Sequence, residues 1–457
     1  MVVIGREGAT GATALLGHYR ARDGSRGAAV DLDVDRPHVG LVVGKRGSGK
    51  TYTLGVLAEG LLAAAGVAPV VVDPMGAFTP LGTADVSAMV IEPRVRADVL
   101  DPRQWCTVLG LDPEQGAGAL VWRAASECST LDGMRSWVVD ADAAASTGRA
   151  AANHLALAAS WDVFDPAGTE TEMLCSDGLT VLDVSGLDSR PVGAVLAAVA
   201  TALYGARMAE RTSRLPWLLV DEAHAFTDGV ARRPLRGLVT RGRQPGVSCV
   251  LATQRPSAVP ATTASQTDLL VAHRLTSAAD IDALRAVQPT YLDGGFAARL
   301  PEETGTALVV DDGTESVHHV TVRERRTPHG GETPRASDPA GAGTHESRAD
   351  GGVLRSRDRG SDSSHVPNYS ARLQKGVRRT VPGRNDPVPR RYSRAIGVVI
   401  QWRPPAPFVS AARGIPTPSG RISTPRSRSA SMVGLFSGRY SPSSSGSYSG
   451  ITAPSSI

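Results

Sequence analysis

Eight residues constrain this chain more than any others: Gly44-Lys45-Arg46-Gly47-Ser48-Gly49-Lys50-Thr51, spaced as G-x-x-x-x-G-K-[ST]. The apolar run Val39-Gly40-Leu41-Val42-Val43 reads as a buried parallel strand leading in. Thr51 to Ala65 reads as a helix leading out, with Leu54, Leu57, Ala58, Leu61 and Leu62 on one face and Gly66 as its stop. Glycines let backbone N–H groups curl around phosphate oxygens, and the start of the helix aims its dipole and free N–H groups at the anion. In such a loop Lys50 reaches the β- and γ-phosphates of a nucleotide and the Thr51 hydroxyl ligates Mg²⁺. The expected nucleotide contacts are therefore Gly44 to Thr51 together with the adjoining Tyr52. A flexible Gly/Ser turn with an incidental lysine is the plain alternative, and the flanking strand and helix argue against it.

A second signature follows at Trp217-Leu218-Leu219-Val220-Asp221-Glu222-Ala223-His224. An apolar strand that ends in two acids delivers them to the γ-phosphate side of the loop. Asp221 is expected to hold Mg²⁺ through water, and Glu222 to orient and deprotonate the attacking water. Gly246 to Gln254 is another buried strand ending in a polar group, and the Gln254 amide suits a γ-phosphate or lytic-water sensor. Arg232, Arg233, Arg236, Arg241 and Arg243 cluster just after the acidic pair. They read either as a solvated surface or, for Arg241 and Arg243, as an arginine finger reaching the ATP of a neighbouring subunit. Asp73, at the end of the apolar run Pro69 to Val72, reads equally as a contact to Mg²⁺ or a nucleotide-sensing loop and as a cap on the turn that follows.

The 457 residues divide sharply in charge. Residues 1–326 hold 30 Lys+Arg against 38 Asp+Glu, and residues 327–457 hold 19 against 7. The first part reads as a mildly acidic globular body. The second is rich in Pro, Ser, Gly and Arg without apolar periodicity, and reads as a disordered basic tail. Cys106, Cys128, Cys175 and Cys249 fit no zinc or redox spacing and read as buried free thiols in a reducing compartment. With no basic-then-apolar leader and no run of 18 apolar residues, the expectation is a cytoplasmic protein without a membrane span.

Within the body, residues 1–35 read as a short N-terminal strand segment, a flap or extra strands on the main sheet. Residues 36–326 read as one α/β ATPase domain, with helices such as Gln115 to Leu131 and Ala143 to Ser160 forming a helical insertion over about 77–175. Trp105, Trp122, Trp137 and Trp161 fall in that insertion and are expected to be core anchors rather than base-stacking groups. Leu179 to Val184 and Leu269 to His273 read as further strands, and Ala307 to Asp311 with Val317 to Val322 as a closing antiparallel pair.

Residues 36–326 resemble the HerA/FtsK family of P-loop DNA-pumping ATPases, in particular its HerA-like archaeal branch. The resemblance is carried by His38 to Thr53, Val70 to Gly76, Val181 to Gly186, Leu218 to Phe226, and most specifically by Arg241-Gly242-Arg243-Gln244-Pro245-Gly246-Val247 followed by Ala252-Thr253-Gln254-Arg255-Pro256. Arginine-rich, lysine-poor usage is similar to that of a haloarchaeal member. The resemblance implies a RecA-like fold with a mainly parallel sheet flanked by helices. It also implies ATP and Mg²⁺, a hexameric ring, and movement of duplex DNA through its centre. Members carry an N-terminal β-barrel for partner docking, for which residues 1–35 are too short, so a nuclease partner is not expected.

Other classes fit less well. Asp221-Glu222-Ala223-His224 spells the box of two-lobed helicases, but only about 100 patterned residues follow it, too few for a second motor lobe. No serine-glycine-glycine signature of a transporter ATPase precedes the acidic strand. The alternative kept open is a nucleotide-driven remodeller or switch acting on protein partners.

Overall fold

The computed structural model describes residues 1–329 apart from positions 9, 22, 24, 293 and 294. The tail reading for residues 327–457 falls almost wholly outside the described residues.

Among the described residues twelve strands form one sheet: β1 (Val2–Ile4), β2 (Thr13–Arg20), β3 (Arg26–Asp33), β4 (Val39–Val43), β5 (Val67–Asp73), β6 (Ala88–Ile91), β7 (Leu179–Asp183), β8 (Leu215–Val220), β9 (Ser248–Thr253), β10 (Leu269–Ala272), β11 (Thr306–Asp311) and β12 (Ser316–Val322). The helices are α1 (Lys50–Ala63), α2 (Pro102–Leu109), α3 (Gly116–Glu127), α4 (Leu131–Asp140), α5 (Ala145–Ser160), α6 (Thr171–Leu174), α7 (Ser189–Met208), α8 (Arg232–Arg241), α9 (Ala261–Ala264), α10 (Ala278–Arg285) and α11 (Phe296–Arg299).

The strand order is β1-β3-β2-β12-β11-β10-β4-β9-β8-β5-β7-β6. From β10 to β6 every neighbouring pair is parallel. This is the RecA-like arrangement expected of a P-loop ATPase, and its strands are continuous apolar runs because both faces are covered. Along β4, Val39, Leu41 and Val43 enter one core with α7 and α8, while Val42 enters the other with α1. That alternation follows from the two-residue period of a strand.

The N-terminal segment extends the sheet. β2 pairs antiparallel with β12 and β3, and β1 lies parallel to β3. The β11–β12 pair forms as the Asp311-Asp312-Gly313 turn suggests, with Asp311 accepting N–H bonds from Gly313 and Thr314. Between β5 and β7 the chain forms five helices, α2–α6, but it also contributes β6 to the far edge of the sheet, a strand inside the stretch read as helical. The helix expected over Gln115 to Leu131 stops at Glu127. Thr130 then caps a new helix, α4, by accepting the Gly133 N–H at 3.0 Å.

Trp105 is fully buried, and its indole N–H donates to the Ala97 carbonyl at 2.9 Å. Trp137 and Trp161 pack against the same core. Trp122 departs from the expectation, with 41% of its surface exposed on α3. α7 is long and apolar enough by length and composition to cross a membrane, yet most of it is buried against the sheet, as in a core helix. Cys106, Cys175 and Cys249 are buried free thiols, and burial pushes them to about 11, 11 and 12.

Candidate nucleotide site

All seven parallel strands point their carboxyl ends the same way, and the site is built along that edge. In the order β4-β9-β8, the loop after β4, Gln254 after β9 and Asp221-Glu222 after β8 become spatial neighbours. Open α/β sheets bind ligands at this edge.

The loop Gly44–Gly49 takes the backbone that its glycines permit. Gly47 and Gly49 lie at φ 73° and 113°, and Gly49 is the N-cap of α1. A side chain at Gly44 would strike the Ser48 hydroxyl and stand 2.7 Å from Cβ of His273. From behind, the Lys45 N–H donates to the Arg274 carbonyl at 2.8 Å, and the Gly305 N–H reaches the Ser48 carbonyl at 3.4 Å. The Lys50 ammonium donates to the Lys45 carbonyl at 3.1 Å, lying across the loop. Burial pulls its pKa down, against the pull of the Glu222 and Asp221 charges. The Ser48 hydroxyl is buried with no partner, while Arg46 is exposed at the mouth.

Across β9, the Thr51 hydroxyl donates to the Asp221 carboxylate at 2.6 Å. Asp221 also accepts the Glu222 N–H at 2.8 Å. A hydroxyl and a carboxylate brought together beside the phosphate loop are the hard oxygen donors that Mg²⁺ takes, its other positions being filled by waters and substrate phosphates. The residues therefore fit the ion. Among the described residues no cluster of three His, Cys, Asp or Glu forms a fuller cation cage. Burial and the neighbouring Asp221 charge raise the Glu222 pKa, opposed by Lys50 and Arg46.

The remaining candidates separate clearly. Gln254 follows β9 directly, whose Thr253 pairs with Val43 of β4, so it stands between the loop and the acids. Arg241 and Arg243 are exposed near the opposite edge, before β9 begins. The six residues of β9 span roughly 20 Å, so these arginines lie far from the loop of their own chain. Asp73 is fully buried and accepts the N–H groups of Met75, Ala77 and Phe78 at 3.2, 3.1 and 2.7 Å. Of its two readings the turn cap is the one observed. The Tyr52 hydroxyl accepts the Arg325 N–H at 2.7 Å, where a strap of residues 323–327 crosses α1. Glu59 anchors that strap, accepting the N–H groups of Arg326 and Thr327, each at 2.9 Å.

One residue at the site escaped the sequence reading. His273 is fully buried behind the loop, its Nδ1 2.8 Å from the Thr306 carbonyl and its Nε2 2.9 Å from the Thr53 hydroxyl. Burial pushes its pKa to about 4, so it is a neutral bridge between α1 and β11. A single histidine ending an apolar strand carries no spacing signal.

Residues 16–137 match the family described as the helicase HerA central domain. That stretch contains the phosphate loop and ends before the acidic strand. No curated protein matches the chain. Among solved structures, VirB4 of Thermoanaerobacter pseudethanolicus is similar at a TM-score of 0.53 and 17% identity, over 69% of this chain and 97% of that one. The plasmid coupling protein TrwB with ADP and Mg²⁺ gives 0.48 and 17%, over 70% and 97%. The resemblance to HerA/FtsK-like P-loop ATPases thus stands on the family match to the phosphate-loop region and on the fold of the body.

Proposed function

We propose that this chain is an ATP-hydrolysing motor that assembles as a ring in the cytoplasm and moves or unwinds duplex DNA. The observation that carries the ATPase reading is the bonded pair Thr51 and Asp221, 2.6 Å apart, with Lys50 and Glu222 beside it on one sheet edge. Water forms a new bond to the γ-phosphorus as the bond to the β–γ bridging oxygen breaks. Glu222 takes the water proton, and ADP and phosphate leave. Lys50 holds the β- and γ-phosphates and Gln254 orients the water; Thr51 and Asp221 would hold Mg²⁺, which would supply charge neutralisation at the phosphates. Distance removes Arg241 and Arg243 from the site of their own subunit, so a finger role for them requires a neighbour in a ring.

Two observations support a polyanionic track. Residues 232–243 contain five arginines and no acid, in a body that is otherwise net acidic, and all five are exposed. Basic side chains in the first turn of α8 also oppose the helix dipole, so local helix stability does not explain Arg232 and Arg233. The acidic balance of residues 1–326 favours the second reading, a remodeller of protein partners. The ATPase rate of the full chain with and without duplex DNA separates the two. A DNA-driven motor is stimulated, independently of sequence and with steep salt dependence. A rate unmoved by saturating duplex at low salt leaves the remodeller. Mixing an Arg241→Ala/Arg243→Ala protein with Glu222→Gln protein tests the finger, since rescue requires action between subunits.

A further inference from the structure

The reaction above leaves unused one side chain that leans on Glu222. Nδ1 of His224 lies 3.3 Å from Oε2 of Glu222, an approach without a formed bond, and both atoms are buried with no hydrogen-bond partner. The Glu222 side chain keeps 23% of its surface exposed, yet Oε2 contributes essentially none of it. One carboxylate oxygen is turned to the imidazole, and the exposure falls on the rest of the group.

The backbone sets this pairing. Glu222 sits at φ 48° and ψ 38°, a left-handed conformation that is strained for a non-glycine residue. A one-turn 3₁₀ helix, Ala223–Ala225, follows at once and brings position 224 back over position 222. The Ala225 N–H closes on the Glu222 carbonyl at 3.0 Å, and the Phe226 N–H on the Ala223 carbonyl at 2.9 Å. Ala223 and Phe226 are buried, and the Thr227 hydroxyl reaches the His224 carbonyl at 3.3 Å and the Ala258 carbonyl at 3.2 Å. The turn is therefore pinned on both sides, which fixes the backbone from which the imidazole projects.

Burial, with Arg255 and Lys50 nearby, keeps this histidine neutral, so it carries a single ring N–H. The contact recorded for Nδ1 is with the Glu222 carboxylate, an acceptor, and it favours the tautomer with the hydrogen on Nδ1. We propose that His224 is a positioning residue for Glu222: the 3.3 Å approach tightens when nucleotide is bound, so that Nδ1–H holds Oε2 and leaves Oε1 to accept the proton of the attacking water. A base that is itself oriented by a third group is a recurring catalytic arrangement. The inference rests on the reading of Glu222 as the base.

The test compares His224→Ala, His224→Asn and Glu222→Gln in the full chain, by steady-state ATPase kinetics and by calorimetric titration of Mg²⁺-ATP. His224→Ala is expected to lower kcat by about 10- to 100-fold, the range seen when an orienting partner is removed, with KM and ATP affinity unchanged. His224→Asn, whose amide N–H can stand in for Nδ1–H, regains part of that loss. Wild-type kcat in His224→Ala overturns the inference. So does joint loss of kcat and affinity with Asn no better than Ala, the pattern of a merely structural residue. If Glu222→Gln is inactive while His224→Ala is normal, the base stands and only its pairing is wrong. Full hydrolysis by Glu222→Gln removes the base assignment and the pairing with it.

Discussion

At the amino end of β4 stand Arg6, Asp33, His38 and Asp268; at its carboxyl end stand Ser48, Lys50, Asp221 and Glu222. Both sets are largely buried. In the first, opposite charges alternate. The Arg6 guanidinium donates to Asp33 at 2.8 Å, and His38 Nδ1 stands 3.0 Å from Asp268. Asp268 also accepts the Val39 N–H at 2.8 Å. His38 Nε2 and Asp33 Oδ2 face each other at 3.6 Å. In the second set two carboxylates are neighbours in sequence and the lysine spends its bond on a backbone carbonyl. A serine hydroxyl goes without a partner, and the glutamate backbone is strained. The first cluster balances its charges internally, though Arg6 Nε, Asp33 Oδ2 and His38 Nε2 make no hydrogen bond, and it joins the chain around β1, β3, β4 and β10. The second is completed only by something that brings negative oxygens and a cation. Both clusters contain buried atoms short of a hydrogen-bond partner, so what distinguishes the site from the weld is two neighbouring carboxylates and a lysine bonded only to backbone, where the weld sets each charge against an opposite one.

The comparison predicts that damage at the two ends has different consequences. The largest effect on stability is expected from Asp33→Ala, which strands Arg6 and His38 in the interior. Breaking a buried pair by removing one partner costs about 3–5 kcal/mol, read by denaturant unfolding, while folded molecules keep their ATP affinity. Intact stability together with lost ATP binding would reverse the roles given to the two ends.

A smaller effect follows from pH. Burial pulls the His38 pKa down, but the hydrogen bond to Asp268 and the nearby Asp33 carboxylate outweigh it and bring it up to about 9. A group whose pKa is raised by folding stabilises fully below its unfolded value, near 6.5. That contribution disappears as pH rises through about 9. Stability should therefore decline between roughly pH 6.5 and 9 by on the order of 3 kcal/mol, and His38→Gln should flatten the decline. An equal slope in both proteins would remove His38 from the weld.

The two ends also differed in how far the sequence revealed them. The phosphate loop was legible because its chemistry demands particular residues at fixed spacing, and β4 has the bounds expected, Val39–Val43. Asp221 and Glu222 were legible because an apolar strand must end before two acids. The Arg6–Asp33–His38–Asp268 cluster was not legible, since its members are separated by up to 262 positions and only the fold unites them. His273 was hidden for the same reason. β2 was missed because Thr13–Arg20 lacks clean alternation and carries register shifts beside Leu15 and His18. β6 was missed because a four-residue strand, only partly buried, leaves almost no periodic trace. Asp73 showed the limit of position alone. Its place at a strand's carboxyl end suits a ligand contact, but three backbone N–H groups already occupy it.

The most direct test of the account is calorimetric titration of Mg²⁺-ATP into Lys50→Ala and Glu222→Gln, alongside their hydrolysis rates. Lys50 supplies the charge that meets the β- and γ-phosphates, so Lys50→Ala should fail to bind. Glu222 acts only on the water, so Glu222→Gln should bind as wild type does and not turn over. Equal binding by both variants, or undiminished turnover in Glu222→Gln, would contradict the division of labour assigned to the carboxyl edge of this sheet.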